Sequence, residues 1–214
     1  MKPASWLRFL YPPHCPGCQA AVRAHGVWCA DCYATIWHPR LIRGSRKGCL
    51  DGCYALGDYR GPLRQALIDL KFYGKLSQAA AFTRLLEEFP WPERWCRVTT
   101  VLGVPISAQR KKERGFDQTE EIFREFFRLR GIGWREGLRK VRHTLPQSGL
   151  QRAERAANIK HSFAYEGVLF SPYDTVLLVD DIYTTGCTMR EAARVLHRAG
   201  AGRMVGLVIA SGAD

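Results

Sequence analysis

Two groups of residues in this chain have types and spacings that could do chemistry. In the first, Val176-Leu177-Leu178-Val179 runs into Asp180 and Asp181 and on through Ile182-Tyr183-Thr184-Thr185-Gly186-Cys187-Thr188. Four β-formers, two acids and a hydroxyl-rich turn are followed from Met189 to Ala199 by apolar residues at helical spacing, which predicts strand, loop and helix. Thr188 with Glu191 has the pattern of a capping box, and Gly200 stands where a helix C-terminus accepts positive φ. The loop therefore leads into a helix N-terminus, where unpaired backbone N–H groups and the helix dipole favour an anion. A phosphate suits that place: Gly186 lets the backbone approach, and Thr184, Thr185 and Thr188 can donate to its oxygens. Asp180 and Asp181 would repel the phosphate, so they are expected to face the vicinal hydroxyls of a ribose or a cation beside it.

The second group is cysteine. Cys15-Pro16-Gly17-Cys18 is followed after ten residues by Cys29-Ala30-Asp31-Cys32. Two C-x2-C knuckles at short separation spell a tetrahedral thiolate site, and Pro16 and Gly17 suit the tight turn that aims both sulfurs one way. A structural zinc is the expectation, set against a pair of disulfides or a redox-active C-x-x-C. Four thiolates leave no position open for catalysis. Cys49 and Cys53 have a different spacing and no matching pair, so ordinary buried thiols are weighed against a second knuckle. Cys96 and Cys187 stand alone; at Cys187 a small residue in the loop needs no reactive role.

The rest of the chain must position these groups. At 214 residues with 46% hydrophobic content it can bury one sizeable core plus an appendage. No uninterrupted apolar run could span a bilayer, and the first ten residues are too short and too broken for a secretory signal. These features exclude an integral membrane protein and predict a cytosolic one, free or peripheral to the inner face of the membrane. From Tyr54 to Tyr59 the chain alternates like a strand, and Leu63, Ala66, Leu67 and Leu70 trace one helical face that leads to Lys71-Phe72-Tyr73-Gly74-Lys75. A second helix is predicted from about Gln78 to Phe89, stopped by Pro90 and Pro92. Val98 to Val104 reads as a central parallel strand whose carboxyl end, at Pro105-Ile106-Ser107, meets the site, and Met204 to Ala210 as a further strand.

The net charge of +12 favours polyanionic partners such as nucleic acid, nucleotides, pyrophosphate or an acidic membrane face. It is concentrated: residues 108–160 hold fourteen Lys/Arg against seven Asp/Glu. Arg110-Lys111-Lys112-Glu113-Arg114-Gly115-Phe116-Asp117-Gln118 is expected to open a helix with Ile122, Phe123, Phe126 and Phe127 on its apolar face. Residues 142–160 are basic and poorly periodic, as in a loop. Any one arginine here could be a solvated surface charge, but as a group beside a phosphate loop they suit a second anion. His143 and His161 have no nucleophile or metal partner and are given no role.

These residues together resemble a known family. Strand, two acids and T-T-G-x-T form the phosphoribosyl pyrophosphate (PRPP) motif of type I phosphoribosyltransferases, and nearly the whole chain resembles the ComF family, a phosphoribosyltransferase-like group tied to bacterial competence. Cys15, Cys18, Cys29 and Cys32 resemble its zinc finger, Leu70-Lys71-Phe72 its L-K-F element, and Arg114-Gly115-Phe116-Asp117-Gln118, after Val104-Pro105, its R-G-F-N-Q. Gln147, Leu150, Arg155, Asn158 and Phe163 resemble spaced residues that precede the PRPP strand.

The resemblance implies an α/β protein with a type I phosphoribosyltransferase-like fold and a central, mostly parallel sheet in residues 54–214, behind a small zinc-knuckle region in residues 1–53. It implies PRPP binding by Thr184, Thr185, Gly186, Cys187 and Thr188, with Asp180 and Asp181 on the ribose, directly or through Mg2+. Ser107, Arg110 and Arg114 would lie towards pyrophosphate, and Cys15, Cys18, Cys29 and Cys32 would hold structural Zn2+. It also implies a role in DNA uptake, with single-stranded DNA and uptake-machinery proteins as partners. Two alternatives stay open: an active phosphoribosyltransferase in nucleobase or nucleotide salvage or modification, and a non-catalytic adaptor for single-stranded DNA or a partner. Two departures stand out. A second cysteine knuckle is reduced to Cys49 and Cys53, and Asp117 replaces an Asn, where it is expected to cap or orient the helix start.

Overall fold

The structure is a computed structural model that describes residues 12–42, 49–92, 95, 98–142 and 157–213. Its strands are Arg40–Ile42 (β1), Cys53–Asp58 (β2), Val98–Gly103 (β3), Gly133–Trp134 (β4), Leu138–Lys140 (β5), Phe163–Tyr165 (β6), Thr175–Tyr183 (β7) and Arg203–Ser211 (β8). Its helices are Ala30–Ile36 (α1), Gly61–Tyr73 (α2), Ala79–Glu88 (α3), Ala108–Arg114 (α4), Gln118–Arg128 (α5) and Cys187–Arg198 (α6). No helix among the described residues is long and apolar enough to cross a membrane.

The main sheet has the order β1-β2-β8-β7-β3-β4, parallel throughout except for β1. A parallel sheet covered on both faces needs strands that are apolar on both sides, and β7 meets that demand. Leu177 and Val179 point into one core with Leu63, Leu67, Phe82 and Phe123 from α2, α3 and α5; Val176 and Leu178 point into the other with Met189, Ala192 and Leu196 of α6. This is the mostly parallel α/β architecture that the sequence predicts. All the parallel strands end on one edge, which places Asp180, Val104-Pro105 and Asp58 along the same rim. The antiparallel pair β5 and β6 forms a separate two-stranded unit whose Leu138 and Phe163 pack into the second core.

The cysteine-bearing segment is fastened to this body. Trp28 is buried, donates its indole N–H to the Ala81 carbonyl at 3.0 Å, and shares the first core with Cys15, Cys32 and Ile36. Strand β1 continues the sheet, with Leu41 opposite Tyr54, and Arg40 pairs with Asp58 at 2.5 Å.

The structure corrects two local expectations. Thr188 and Glu191 form no capping box: α6 starts two residues earlier, with Gly186 as its N-cap, and the Glu191 carboxylate accepts from the His161 backbone N–H at 2.7 Å and from Arg194. Residues 110–118 do not open one helix either. Helix α4 stops at Gly115, whose φ of +86° few other residues adopt, and α5 starts afresh. Asp117 caps that second start, accepting from Thr119 N at 2.9 Å and Ile106 N at 3.1 Å, in line with the role expected of it.

Candidate functional site

The two acids follow the last residue of β7 paired with β3, Val179; β7 runs beside β8 to Tyr183, and the chain then turns through Thr184 and Thr185 to Gly186, the N-cap of α6, at φ +70°. Any side chain at 186 would displace Tyr183. A Cβ there would lie 2.7 Å from Cε2 of Tyr183 and closer still to the phenol oxygen. Arg190, one turn into α6, donates to the Thr185 carbonyl at 2.9 Å and reaches the Cys187 sulfur at 3.3 Å, while the Thr185 hydroxyl meets that sulfur at 3.2 Å. The loop is therefore tied back to its own helix, with Cys187 and Thr188 in the first turn. Burial raises the Tyr183 phenol, with Cys53 adding to the shift and Arg190 opposing it.

Asp180 and Asp181 are both buried. Burial pushes the Asp180 carboxyl well above the usual carboxylate range; the charge of Asp181 adds to this, and the Asp181 backbone N–H at 2.9 Å and Lys71 act against it. Asp181 is better provided for. Gln118 Nε2 donates to its Oδ2 at 3.1 Å, Lys71 Nζ lies 3.9 Å away, and Arg114 is hydrogen-bonded to Gln118 Oε1. Burial lowers the Arg114 pKa, while the Asp181 charge works the other way. A relay thus runs from Arg114 through Gln118 to Asp181. Of the predicted anion-binding residues, Ser107 is buried as the N-cap of α4, accepting from Arg110 N at 3.3 Å, and Arg110 sits half-buried in the first turn.

Several of these groups escape sequence reading because other elements supply them. Lys140 at the end of β5 is the clearest case: burial, then the neighbouring Arg110, push it down to about 8, while Asp180 draws it back up. Lys140 also lines an open cavity of about 720 Å3 bounded by the loop at Val104, Pro105 and Ile106, by Trp134 and by Tyr165. Lys71 and Gln118 have sequence cues, their places in Leu70-Lys71-Phe72 and Arg114-Gly115-Phe116-Asp117-Gln118, whereas Lys140 and Arg190 have none beyond being polar. Among the residues singled out by sequence, Gln147, Leu150, Arg155 and His143 lie outside the described residues, as does Cys96.

The second site is the cysteine cluster. Residues 13–22 form a tight hairpin, with Cys15 N bonded to Ala20 O at 2.8 Å and Val22 N to Pro13 O at 3.0 Å. Cys29 caps α1, so the second knuckle is a helix start. The four sulfurs lie within 4.8 Å of one another, and Cys18 and Cys29 are 3.6 Å apart. A tetrahedron with Zn–S bonds of about 2.3 Å has edges of about 3.8 Å, so the donor set and its spacing fit zinc. Without metal the thiols are ill-matched: burial pushes Cys32 up, whereas at Cys15 the backbone N–H groups of Cys29, Cys18 and Gly17 outweigh burial and pull it down to about 7. Cys53 is buried in β2 with its thiol pushed up by burial, and Cys49 joins no cluster of metal-ligating groups among the described residues.

Fold and sites together define a mostly parallel α/β protein with a glycine-capped loop at the carboxyl edge of its sheet and an attached four-cysteine zinc ribbon. Residues 6–44 match the double zinc ribbon domain. Over 204 residues the chain is 30% identical to DNA utilization protein YhgH of Salmonella typhi, covering 87% of this chain and 85% of that protein. It is 25% identical over 201 residues to competence protein F of Haemophilus influenzae, with 87% and 85% covered. It is 26% identical over 188 residues to competence protein ComFC of Streptococcus pneumoniae, with 88% and 76% covered. The chain belongs to the ComF family.

Proposed function

We propose that this protein binds PRPP with Mg2+ at the loop from Asp180 to Thr188 and acts in the uptake and use of DNA. The observation that carries the ligand assignment is a pair of buried acids towards the end of β7, one left electrostatically unsatisfied, followed within a few residues by a glycine-capped helix start. A phosphate on that helix start would put the attached ribose over the two acids. Hard carboxylate oxygens suit Mg2+, which would neutralise charge on the pyrophosphate when bound. Arg110, Arg114 and Lys71 border the acids and would hold the pyrophosphate end. The DNA role rests on relatives named for competence and DNA utilization over most of their length, and on the concentration of positive charge in residues 108–160.

A second reading, phosphoribosyl transfer, is favoured by the cavity beside residues 104–106. There an acceptor would sit next to Lys140, which at about 8 holds a fraction of neutral amine near neutral pH. Departure of pyrophosphate leaves positive charge on the ribose, and Asp180 and Asp181 would stabilise it.

Calorimetry of the wild-type protein with PRPP and Mg2+ tests the first reading, with Asp180→Asn/Asp181→Asn as the silent control. No heat from wild type overturns it. Pyrophosphate release measured over a panel of nucleobases, with and without single-stranded DNA, tests the second, and no release with any base removes it.

A further inference from the structure

Helix α2 ends in a feature that the ligand loop leaves unused. Its last two residues, Phe72 and Tyr73, are 68% and 70% exposed, although the helix buries Leu63, Ala66, Leu67 and Leu70 on its inner face. The turn that presents these rings is firmly built. Asp69, buried, accepts from Lys75 Nζ at 2.7 Å, Gln65 Nε2 at 2.8 Å and Gln78 Nε2 at 3.4 Å. Its carbonyl takes the backbone N–H of Gly74, held at φ +62°, and that of Lys75 at 3.4 Å. The turn beside the two exposed aromatic rings is thus held by five hydrogen bonds to one residue.

Cations line the same turn. The Arg114 guanidinium lies 6.0 Å from the Phe72 ring and 6.0 Å from the Phe116 ring, and Lys71 Nζ lies 5.9 Å from the Phe72 ring. Lys71 also reaches to 3.9 Å from Asp181, so the rings border the mouth of the ligand site. Exposed aromatic rings with positive charge about 6 Å from one of them match a ligand whose repeating unit joins a planar ring to a phosphate. A purely apolar partner would leave these cations unanswered.

We propose that Phe72 and Tyr73 form a stacking platform for unpaired nucleobases, the bases lying on the rings and the phosphates running towards Arg114 and the neighbouring Lys112. The platform rests on the nucleic-acid part of the function proposed above and does not depend on PRPP. Asp69 is its positioning residue: it touches no ligand and holds the turn.

The test is fluorescence anisotropy of a labelled thymidine oligonucleotide against the full chain. Phe72→Ala and Tyr73→Ala are each expected to weaken binding by about five- to a hundredfold, because stacking is lost. The slope of affinity against salt should stay unchanged, since no phosphate contact is removed. Phe72→Trp should keep wild-type affinity and show quenching of its emission on binding. Tyr173→Ala, at a still more exposed ring just before the start of β7, should bind as wild type does, and an abasic oligonucleotide should not distinguish Phe72→Ala from wild type. Quenching of Phe72→Trp by thymidine monophosphate alone supports the platform with a free nucleotide as its occupant, and quenching by the oligonucleotide only supports it with a strand. Oligonucleotide binding by wild type that Phe72→Ala and Tyr73→Ala leave intact overturns the platform alone. Absence of any binding by wild type overturns the platform and the nucleic-acid reading together.

Discussion

Replacing Gly186 with alanine probes the ligand loop through a change of one methyl group. Two costs follow from the geometry. A non-glycine residue at φ +70° pays about 1 kcal/mol for the left-handed conformation. The new methyl would also overlap the Tyr183 ring, a buried side chain that is packed in the second core and interacts with Arg190. Forcing such a ring aside costs about 1–3 kcal/mol, as overpacking generally does. The sum is about 2–4 kcal/mol, which for a chain of this length lowers Tm by roughly 5–15 °C. Thermal unfolding followed by circular dichroism measures it. The double variant Gly186→Ala/Tyr183→Ala separates the two costs: with the ring gone, alanine at 186 should add only the backbone penalty of about 1 kcal/mol. If Gly186→Ala melts within a degree of wild type, or if its cost is the same with and without the Tyr183 ring, the account of a loop built around this contact is wrong.

Other expectations follow from the same structure. Asp180→Asn should raise Tm while abolishing heat from Mg2+ and PRPP. Because the folded-state pKa of Asp180 is raised, its contribution to stability is most favourable below the ordinary carboxylate pKa and is lost as pH rises. The Tm advantage of Asp180→Asn should therefore vanish near pH 3 and grow towards neutrality; a constant gap would contradict the assignment. Cys15→Ser with Cys18→Ser should remove one equivalent of zinc by mass spectrometry and lower the melting of the whole chain, since Cys15 shares its core with Leu63 and Phe82. Metal-free wild-type protein would refute the zinc site. Asp69→Asn should destabilise by about 1–3 kcal/mol in urea, because Lys75 loses its charged acceptor. Its pKa is lowered, with the bonds from Lys75 and Gln65 outweighing burial, so this contribution should fade as pH falls below about 4.

What could be read from the sequence was local. The strand from Val176, the loop around Gly186 and the helix after it show in one stretch because each residue type there serves its own backbone position, and the two cysteine knuckles show for the same reason. The capping box failed because Gly186 already begins the helix, which leaves Glu191 to bind a distant backbone N–H at His161. The break between α4 and α5 had a cue in Asp117 and Glu120, a cap with an acid three residues on, but the apolar face beyond it masked the boundary. Lys140 and Arg190 were hidden for a different reason. Each is an ordinary polar residue in its own segment and gains meaning only where β5 and α6 converge on the rim of the sheet.

The position of β2 bears on how the chain reaches this form. It lies between β1, a near neighbour in sequence, and β8, the last strand described, with Tyr54 facing Leu41 on one side and Leu207 on the other. On a ribosome the zinc ribbon can close and offer β1 to β2 early, but the other edge of β2 has no partner until β8 follows β3 to β7. During that interval two parallel edges, those of β2 and β7, stand open to wrong pairing. With β1 already on its outer side, β2 carries one open edge through that interval instead of two.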